Sequence, residues 1–428
     1  MRTVTLRLLL LPATLLLLHP AAARGGGAAP PHVGTWAAYP RALPALQLPQ
    51  VPLTGNGVLG AALDAHNAPT PPGALGPGSA NAIDVWINSN GFWSCTSCGS
   101  TDPDHTEQPN GCCSTAALGG VSFRVTGTFP GASPLPRFSA SQALANGALS
   151  ASLFTAAGGE FRLNLRMHPA ARLLSANFTW LPAAGDPPAV EVAAAVWALG
   201  KGSLGGSWST GTPAPWGAGC LNLRSGAREP CAGGGGGPAQ AVFASRNAST
   251  VDATVMPLSA ALAVALWLGP GVEALGAAVA NDAPAYPPTL PFEAVARVTV
   301  PGGAHGLAFI AQAETRGPGL GDPVPLAWAT LASGRGFEVP SAADAWWAGT
   351  WAKSAISLPA QPAMEAAWYG SQYILACTSA TTSSDDAPAP GLYGVWVSAD
   401  GPNWHGDYSA WARRAVLSGR ARHTTPAS

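Results

Sequence analysis

Apolar and polar positions alternate in short runs between residues 120 and 316. Val121-Ser122-Phe123-Arg124-Val125 is one such run, and Phe161-Arg162-Leu163-Asn164-Leu165-Arg166-Met167 is another. Residues 149–153, 173–181, 260–268, 294–300 and 306–313 also have strand character, with Gly or Pro between the runs. A period of two sends successive side chains to opposite faces, so these runs predict strands with one face in a core. Many strands separated by turn residues predict a β-sandwich. Residues 82–86 add a strand near the start. Residues 256–268 are apolar, too short to span a membrane, and read as a buried strand pair.

The period changes after residue 340. Trp346, Trp347, Trp351 and Lys353 recur at helical spacing over residues 342–354, and Ile356-Ser357-Leu358-Pro359 closes the segment. Pro362 suits the first turn of a second helix. There Met364, Ala367, Trp368, Ser371, Gln372 and Leu375 repeat at three and four. The opposite side, with Ala366, Tyr369, Tyr373 and Ala376, is also apolar or small, and Glu365 is the lone charge from residue 361 to 384. A helix apolar all round is predicted to be buried all round. Without neighbours it must fold back on the sandwich or expose an apolar patch.

Composition narrows the functional classes. The 428-residue chain has a net charge of -1, which gives no electrostatic support for binding nucleic acid or acidic membranes. Charged residues make up 10%, against roughly 25% in an average globular protein. Hydrophobic residues reach 47%, enough for a large core. The 52 Gly and 42 Pro are discounted because biased coding inflates both. The 16 Trp against 6 Tyr are less easily set aside, since tryptophan both fills cores and stacks on sugar rings.

The first 23 residues read as a secretory signal. Arg2 and Arg7 precede an apolar run over residues 8–18, and Ala21-Ala22-Ala23 supplies a small-residue cleavage site. This predicts a secreted, extracellular protein with no membrane contact beyond the signal. Seven cysteines fit an oxidising compartment. Cys220 and Cys231 are natural disulfide partners. Cys95, Cys98, Cys112 and Cys113 form a second group whose pairing the sequence leaves open, and adjacent Cys112 and Cys113 are geometrically unsuited to each other. A zinc site built from these cysteines with Asp102, Asp104 and His105 is the sharper alternative; a disulfide framework is preferred, and no metal or cofactor is expected. Cys377 reads as a free, inert thiol in a buried helix. Asn177-Phe178-Thr179 and Asn247-Ala248-Ser249 are glycosylation sequons at Asn177 and Asn247.

Four motifs carry a resemblance. They are Thr54-Gly55-Asn56-Gly57-Val58-Leu59-Gly60-Ala61, Trp368-Tyr369-Gly370-Ser371-Gln372-Tyr373, Pro390-Gly391-Leu392-Tyr393-Gly394-Val395-Trp396 and Trp404-His405-Gly406-Asp407-Tyr408. Together they resemble the six-hairpin glycosidases, in particular the family 95 and family 65 type glycoside hydrolases. The resemblance implies an N-terminal β-supersandwich, a linker helix and the first hairpin of an (α/α)6 barrel. Its expected layout is a signal at 1–23, a Pro/Ala-rich lead-in at 24–52, the sandwich at 53–340, the linker helix at 341–359, the barrel start at 360–408 and a divergent tail at 409–428. In the family the loop around Asn88-Ser89-Asn90-Gly91-Phe92-Trp93 reaches towards the sugar; a disulfide-pinned surface loop is the plainer reading.

The implied chemistry is hydrolysis of O-glycosidic bonds in carbohydrate metabolism, with inversion. That reaction needs two carboxyl groups flanking the bond, one as acid and one activating water. Past the sandwich the carboxylates are Asp344, Glu365, Asp385, Asp386, Asp400 and Asp407. Asp400 and Asp407 stand out because Trp396 and Trp404 accompany them. The family's asparagine-rich continuation after the Asp-Tyr pair is replaced here by Ser409-Ala410-Trp411-Ala412-Arg413-Arg414. No catalytic residue therefore carries over, and the chain as written is expected to be inactive. Trp93, Trp396, Asp400, Trp404, Asp407 and Tyr408 are expected to wall a sugar site whose partner is an oligosaccharide or cell-wall polysaccharide. The alternative function is a non-catalytic carbohydrate-binding β-sandwich module. A third reading, a structural cell-wall protein, sits badly with the clear strand periodicity.

Overall fold

The computed structural model describes residues 32–36, 51–66, 81–96, 112–115, 118–126, 137–198, 217–221, 228–229, 239–248, 258–268, 272–281, 292–316, 321–379, 391 and 394–396. They form two large antiparallel sheets, a small ribbon and three α-helices. The ten-stranded sheet runs, in spatial order, Val33–Trp36, Arg137–Ala143, Ala148–Phe154, Glu160–Met167, Leu173–Leu181, His305–Arg316, Leu258–Leu268, Ala239–Ala248, Gly217–Leu221 and Arg228–Glu229. The seven-stranded sheet runs Glu273–Asn281, Phe292–Pro301, Ala189–Ala198, Gly119–Thr126, Ala82–Ser89, Leu59–His66 and Leu53–Gly55. Trp93–Thr96 pairs with Cys112–Thr115 as the ribbon.

The alternating runs behave as their period predicts. Leu163, Leu165, Phe161 and Phe178 from one sheet meet Ile83, Val121, Phe123 and Val192 from the other in a single apolar core. Phe178 lies between Phe123 and Phe161, with ring centroids 5.8 and 6.4 Å away. It also needs Gly306 opposite it, because a Cβ there would lie 2.1 Å from the Phe178 ring. Burying such side chains contributes roughly 1.5–3 kcal/mol each, so this layer holds the sheets together.

Three elements differ from the sequence expectation. Residues 258–268 form one eleven-residue strand rather than a strand pair, covered on both faces along its middle. Its inner face joins the main core through Leu262 and Val264. Its outer face joins a second cluster through Ala261 and Ala263. That second cluster exists because a helix the sequence reading missed, α1 (Val324–Ala332), lays Val324, Ala327 and Leu331 on the ten-stranded sheet. The lead-in also supplies an edge strand, Val33–Trp36, paired with Arg137–Ala143.

The helices read from the sequence are present as α2 (Val339–Lys353) and α3 (Pro362–Thr378). Yet α3 is not buried all round. It docks through Tyr369, Tyr373, Cys377 and Thr378, while Met364, Ile374 and Leu375 on other faces are exposed. Apolar composition alone does not supply a neighbour for every face. Among the described residues no helix is long and apolar enough to cross a membrane.

Candidate functional site

The described residues that carry the family resemblance meet at one junction. The turn at residues 54–60 is its centre. Asn56 organises the turn: its Oδ1 accepts from Val58 N at 3.1 Å and Leu59 N at 2.8 Å. Its Nδ2 donates to the carbonyls of His168 at 2.9 Å and Ala171 at 3.0 Å. A buried amide so placed has its donors and acceptor satisfied, and it ties the turn to a loop more than a hundred residues away.

The glycines of this turn admit other backbone. A Cβ on Gly55 would lie 2.6 Å from the Cys377 carbonyl oxygen, and one on Gly60 would lie 2.1 Å from that of Val395. Gly57 takes a φ of 83°, the left-handed region that favours glycine, and donates its N–H to the Cys377 carbonyl at 2.7 Å. The end of α3 and the segment at residues 394–396 thus lie directly on the turn. Tyr373 donates its hydroxyl to Leu53 O at 3.0 Å, and Trp396 donates Nε1 to Thr54 O at 2.8 Å.

Aromatic rings fill the space between α2 and α3. Trp347 stacks on Tyr373 with centroids 4.7 Å apart and planes 8° apart, and on Trp351 at 5.5 Å. Trp351 donates Nε1 to Leu144 O at 3.0 Å. Tyr369 meets Trp351 edge-on at 5.5 Å and donates its hydroxyl to Ile356 O at 2.9 Å. Gly147, at a φ of 66°, leaves room for the Trp347 indole. Tyr373 and Cys377 are both fully buried here. Burial pushes the Tyr373 hydroxyl well above the ordinary tyrosine range and the Cys377 thiol up to about 12. Neither ionises near neutral pH, so neither offers a nucleophile or base. Cys377 is a free thiol, as its apolar setting implied.

The outer face of the seven-stranded sheet holds a second buried polar set. Arg124 grips Glu293 through two bonds of 2.6 Å, and Ser122 donates to Asp84 while accepting Trp197 Nε1 at 3.0 Å. Burial raises the Glu293 carboxyl above its usual range against the opposing pull of the Arg124 guanidinium. Other carboxylates are likewise engaged. Glu160 binds Arg162 and Ser152, Glu191 pairs with Arg297, Glu314 with Arg172 and Asp344 with Arg166. Asp186 accepts from Ala183 N and Thr155, Asp322 from Val324 N and Glu365 from Leu358 N. These roles are structural: ion pairs and turn closures.

The residues read from sequence fall into three groups. Trp396 lies in the junction, 5% exposed, with its indole N–H bonded to backbone. Asn88, Ser89, Asn90 and Phe92 are buried rather than on a surface loop. Asn88 accepts from Leu118 N at 2.9 Å, and Asn90 donates to Gly57 O at 3.3 Å, so this loop braces the glycine turn. Trp93 begins the ribbon, which places Cys95 directly opposite Cys113 and Thr96 opposite Cys112. Cys220 is buried and disulfide-bonded. Asn177 is half-buried in the middle of its strand, and Asn247 lies on strand Ala239–Ala248. The side chains of Trp93, Cys95, Cys112, Cys113 and Asn247, and all of Cys98, Cys231, Asp400, Trp404, Asp407 and Tyr408, lie outside the described residues. Sequence reasoning missed Trp267 and Phe337, large aromatics that remain exposed. Strand Leu258–Leu268 is apolar but for Ser259, so its pattern held no signal for which face Trp267 takes.

No family model and no curated protein matches the chain. Solved structures do. A protein described as a kojibiose phosphorylase from the human microbiome aligns over 78% of this chain and 43% of its own, with 7% identity and a TM-score of 0.42. The family GH92 alpha-mannosidase from Bacteroides thetaiotaomicron aligns over 76% of this chain and 38% of its own, with 10% identity and a TM-score of 0.31. A protein described as an aldose 1-epimerase from Klebsiella pneumoniae aligns over 72% and 96%, with 7% identity and a TM-score of 0.26. The chain thus spans about two-fifths of the length of the first two, 43% and 38%. Scores of this size describe a loose likeness without bearing on activity.

Proposed function

We propose that this chain is a secreted, glycoside hydrolase-like protein of carbohydrate metabolism, in which the sandwich carries and orients a helical region and does not itself break a glycosidic bond. The observation that supports this reading is the junction. The first motif quoted for the family resemblance lies more than three hundred residues from the others, and their described residues interlock atom against atom. Gly55 and Gly60 make room for Cys377 and Val395, while Tyr373 and Trp396 bond to the backbone of residues 53–54. The resemblance attaches the (α/α)6 barrel and inverting hydrolysis to that arrangement. The carboxylates named above, all among the described residues, are engaged in structure, which favours a supporting role for the sandwich over turnover. The solved structures named above carry the names of carbohydrate enzymes, a likeness that agrees with the reading without carrying it.

The test is an assay of the purified 428-residue chain on α-linked fucosyl and galactosyl oligosaccharides, following release and anomeric form of the product by NMR. Saccharide binding with no release is expected. Release that disappears in Asp400→Asn or Asp407→Asn would show a working acid in this chain and overturn the non-catalytic part. Absence of both binding and release would overturn the carbohydrate reading.

A further inference from the structure

The outer face of the ten-stranded sheet is divided. One half is apolar and covered by α1; the other, bordered by α2 through the Arg166–Asp344 pair, carries hydroxyls, amides and paired charges. A straight line of facing residues crosses that second half. The strand registers place Trp267 opposite Leu307, Leu307 opposite Asn177, Asn177 opposite Asn164, Asn164 opposite Ser150 and Ser150 opposite Ser141. Directly paired residues share a face, so all six side chains lie on the same side. Strands stand about 4.8 Å apart, which makes the line about 24 Å long, enough for several sugar rings end to end.

We propose that this line is a binding strip for an extended, neutral oligosaccharide, with Trp267 as its stacking platform. Trp267 is 45% exposed at one end of the strip, and Phe337, 52% exposed, stands edge-on to it with centroids 5.3 Å apart. Phe309 holds Phe337 upright from beneath at 4.8 Å. Such an aromatic pair offers an apolar ring to the C–H face of a sugar, and the Asn and Ser positions beyond it offer donors and acceptors for hydroxyls. Asn177 sits within the row and is half-buried; its Oδ1 is shielded from solvent and has no hydrogen-bond partner among the described residues. Local charges are neutralised, Arg162 by Glu160 and Arg166 by Asp344, so the surface matches an uncharged ligand. One aromatic pair beside a polar field is too small an apolar patch for a protein interface core.

This inference rests on the carbohydrate reading but places contact far from Trp404 in sequence, on the sandwich itself. The protein is made where sequons stay unmodified, so that a glycan on Asn177 cannot occupy the strip. Affinity gel electrophoresis with xylan, mixed-linkage β-glucan and galactomannan then measures retardation. At least one polysaccharide is expected to retard the intact chain. Trp267→Ala is expected to weaken that binding about tenfold or more. Phe337→Ala and Asn177→Ala are expected to weaken it several-fold, with circular dichroism and denaturation midpoint unchanged. Leu275→Ala, exposed on the other sheet, serves as the control and should bind normally. Retardation that survives Trp267→Ala overturns the strip while leaving the carbohydrate reading intact. An intact, folded chain retarded by none of the polysaccharides overturns the strip, and the turnover assay then decides the wider reading alone.

Discussion

Trp347 and Trp267 are both tryptophans on regular elements outside the main core, and their surroundings are opposite. Trp347 is sandwiched between Tyr373 and Trp351, in a cluster whose Tyr373, Trp351 and Trp396 polar atoms each reach a backbone carbonyl. Trp267 touches Phe337 at one edge and leaves much of its ring to solvent. The first arrangement seals an interface between sandwich and helices. The second leaves a surface that is stable without a partner and able to take one. A count of tryptophans therefore says little about sugar binding; the question is which rings have been left uncovered.

The comparison can be broken first at Trp347. Trp347→Ala should cost about 3–5 kcal/mol in chemical denaturation, because it empties the stack between α2 and α3. Trp267→Ala should fall within about 0.5 kcal/mol of the parent. Equal effects would mean the two sites are not distinguished by packing. Next comes Gly60→Ala, expected to destabilise by about 2–3 kcal/mol, since the new methyl meets the Val395 carbonyl oxygen at 2.1 Å and backbone must move. Trp396→Phe keeps most of the apolar volume but leaves the Thr54 carbonyl without its donor; a loss of about 1–2 kcal/mol is expected.

The smallest effect is one of pH. His168 belongs to the loop that Asn56 clamps, and burial lowers its pKa below the usual 6.5, helped by the positive charge of Arg335 and opposed by Glu338. A depressed value means that the unfolded chain binds the proton more readily. The contribution to stability is complete above about pH 6.5 and declines as pH falls through the lower folded value. Denaturation midpoints measured between pH 7.5 and 5 should slope less in His168→Gln than in the parent. Parallel slopes would remove His168 from the account.

Strand content was legible wherever apolar and polar residues alternated, as in Glu160–Met167, where every second side chain is buried. The α2 and α3 helices were legible from spacing and from Pro362. What escaped were elements whose reason for existing lies elsewhere in the chain. Val33–Trp36 is a strand because Arg137–Ala143 presents an open edge. The α1 helix is read poorly from nine residues that are apolar but for Thr330 and so show no polar face, and it is held by the apolar outer half of the ten-stranded sheet. Of the sugar-site residues named from sequence, Trp396 turned out to sit in the junction. The binding strip was invisible, because its line of residues belongs to six different strands.

The sequence by itself determined the local events: a strand where the period is two, a helix where it is three to four, a turn at the glycines and an inert thiol at Cys377. Those follow from steric and hydrophobic rules that act over a few residues. Only the tertiary structure decided which faces stayed open. Burial is a property of neighbours. The neighbours of Gly60, Trp347 and Trp267 come from Val395, Tyr373 and Phe337, and no local pattern records which distant segment arrives to cover a ring or leaves it bare.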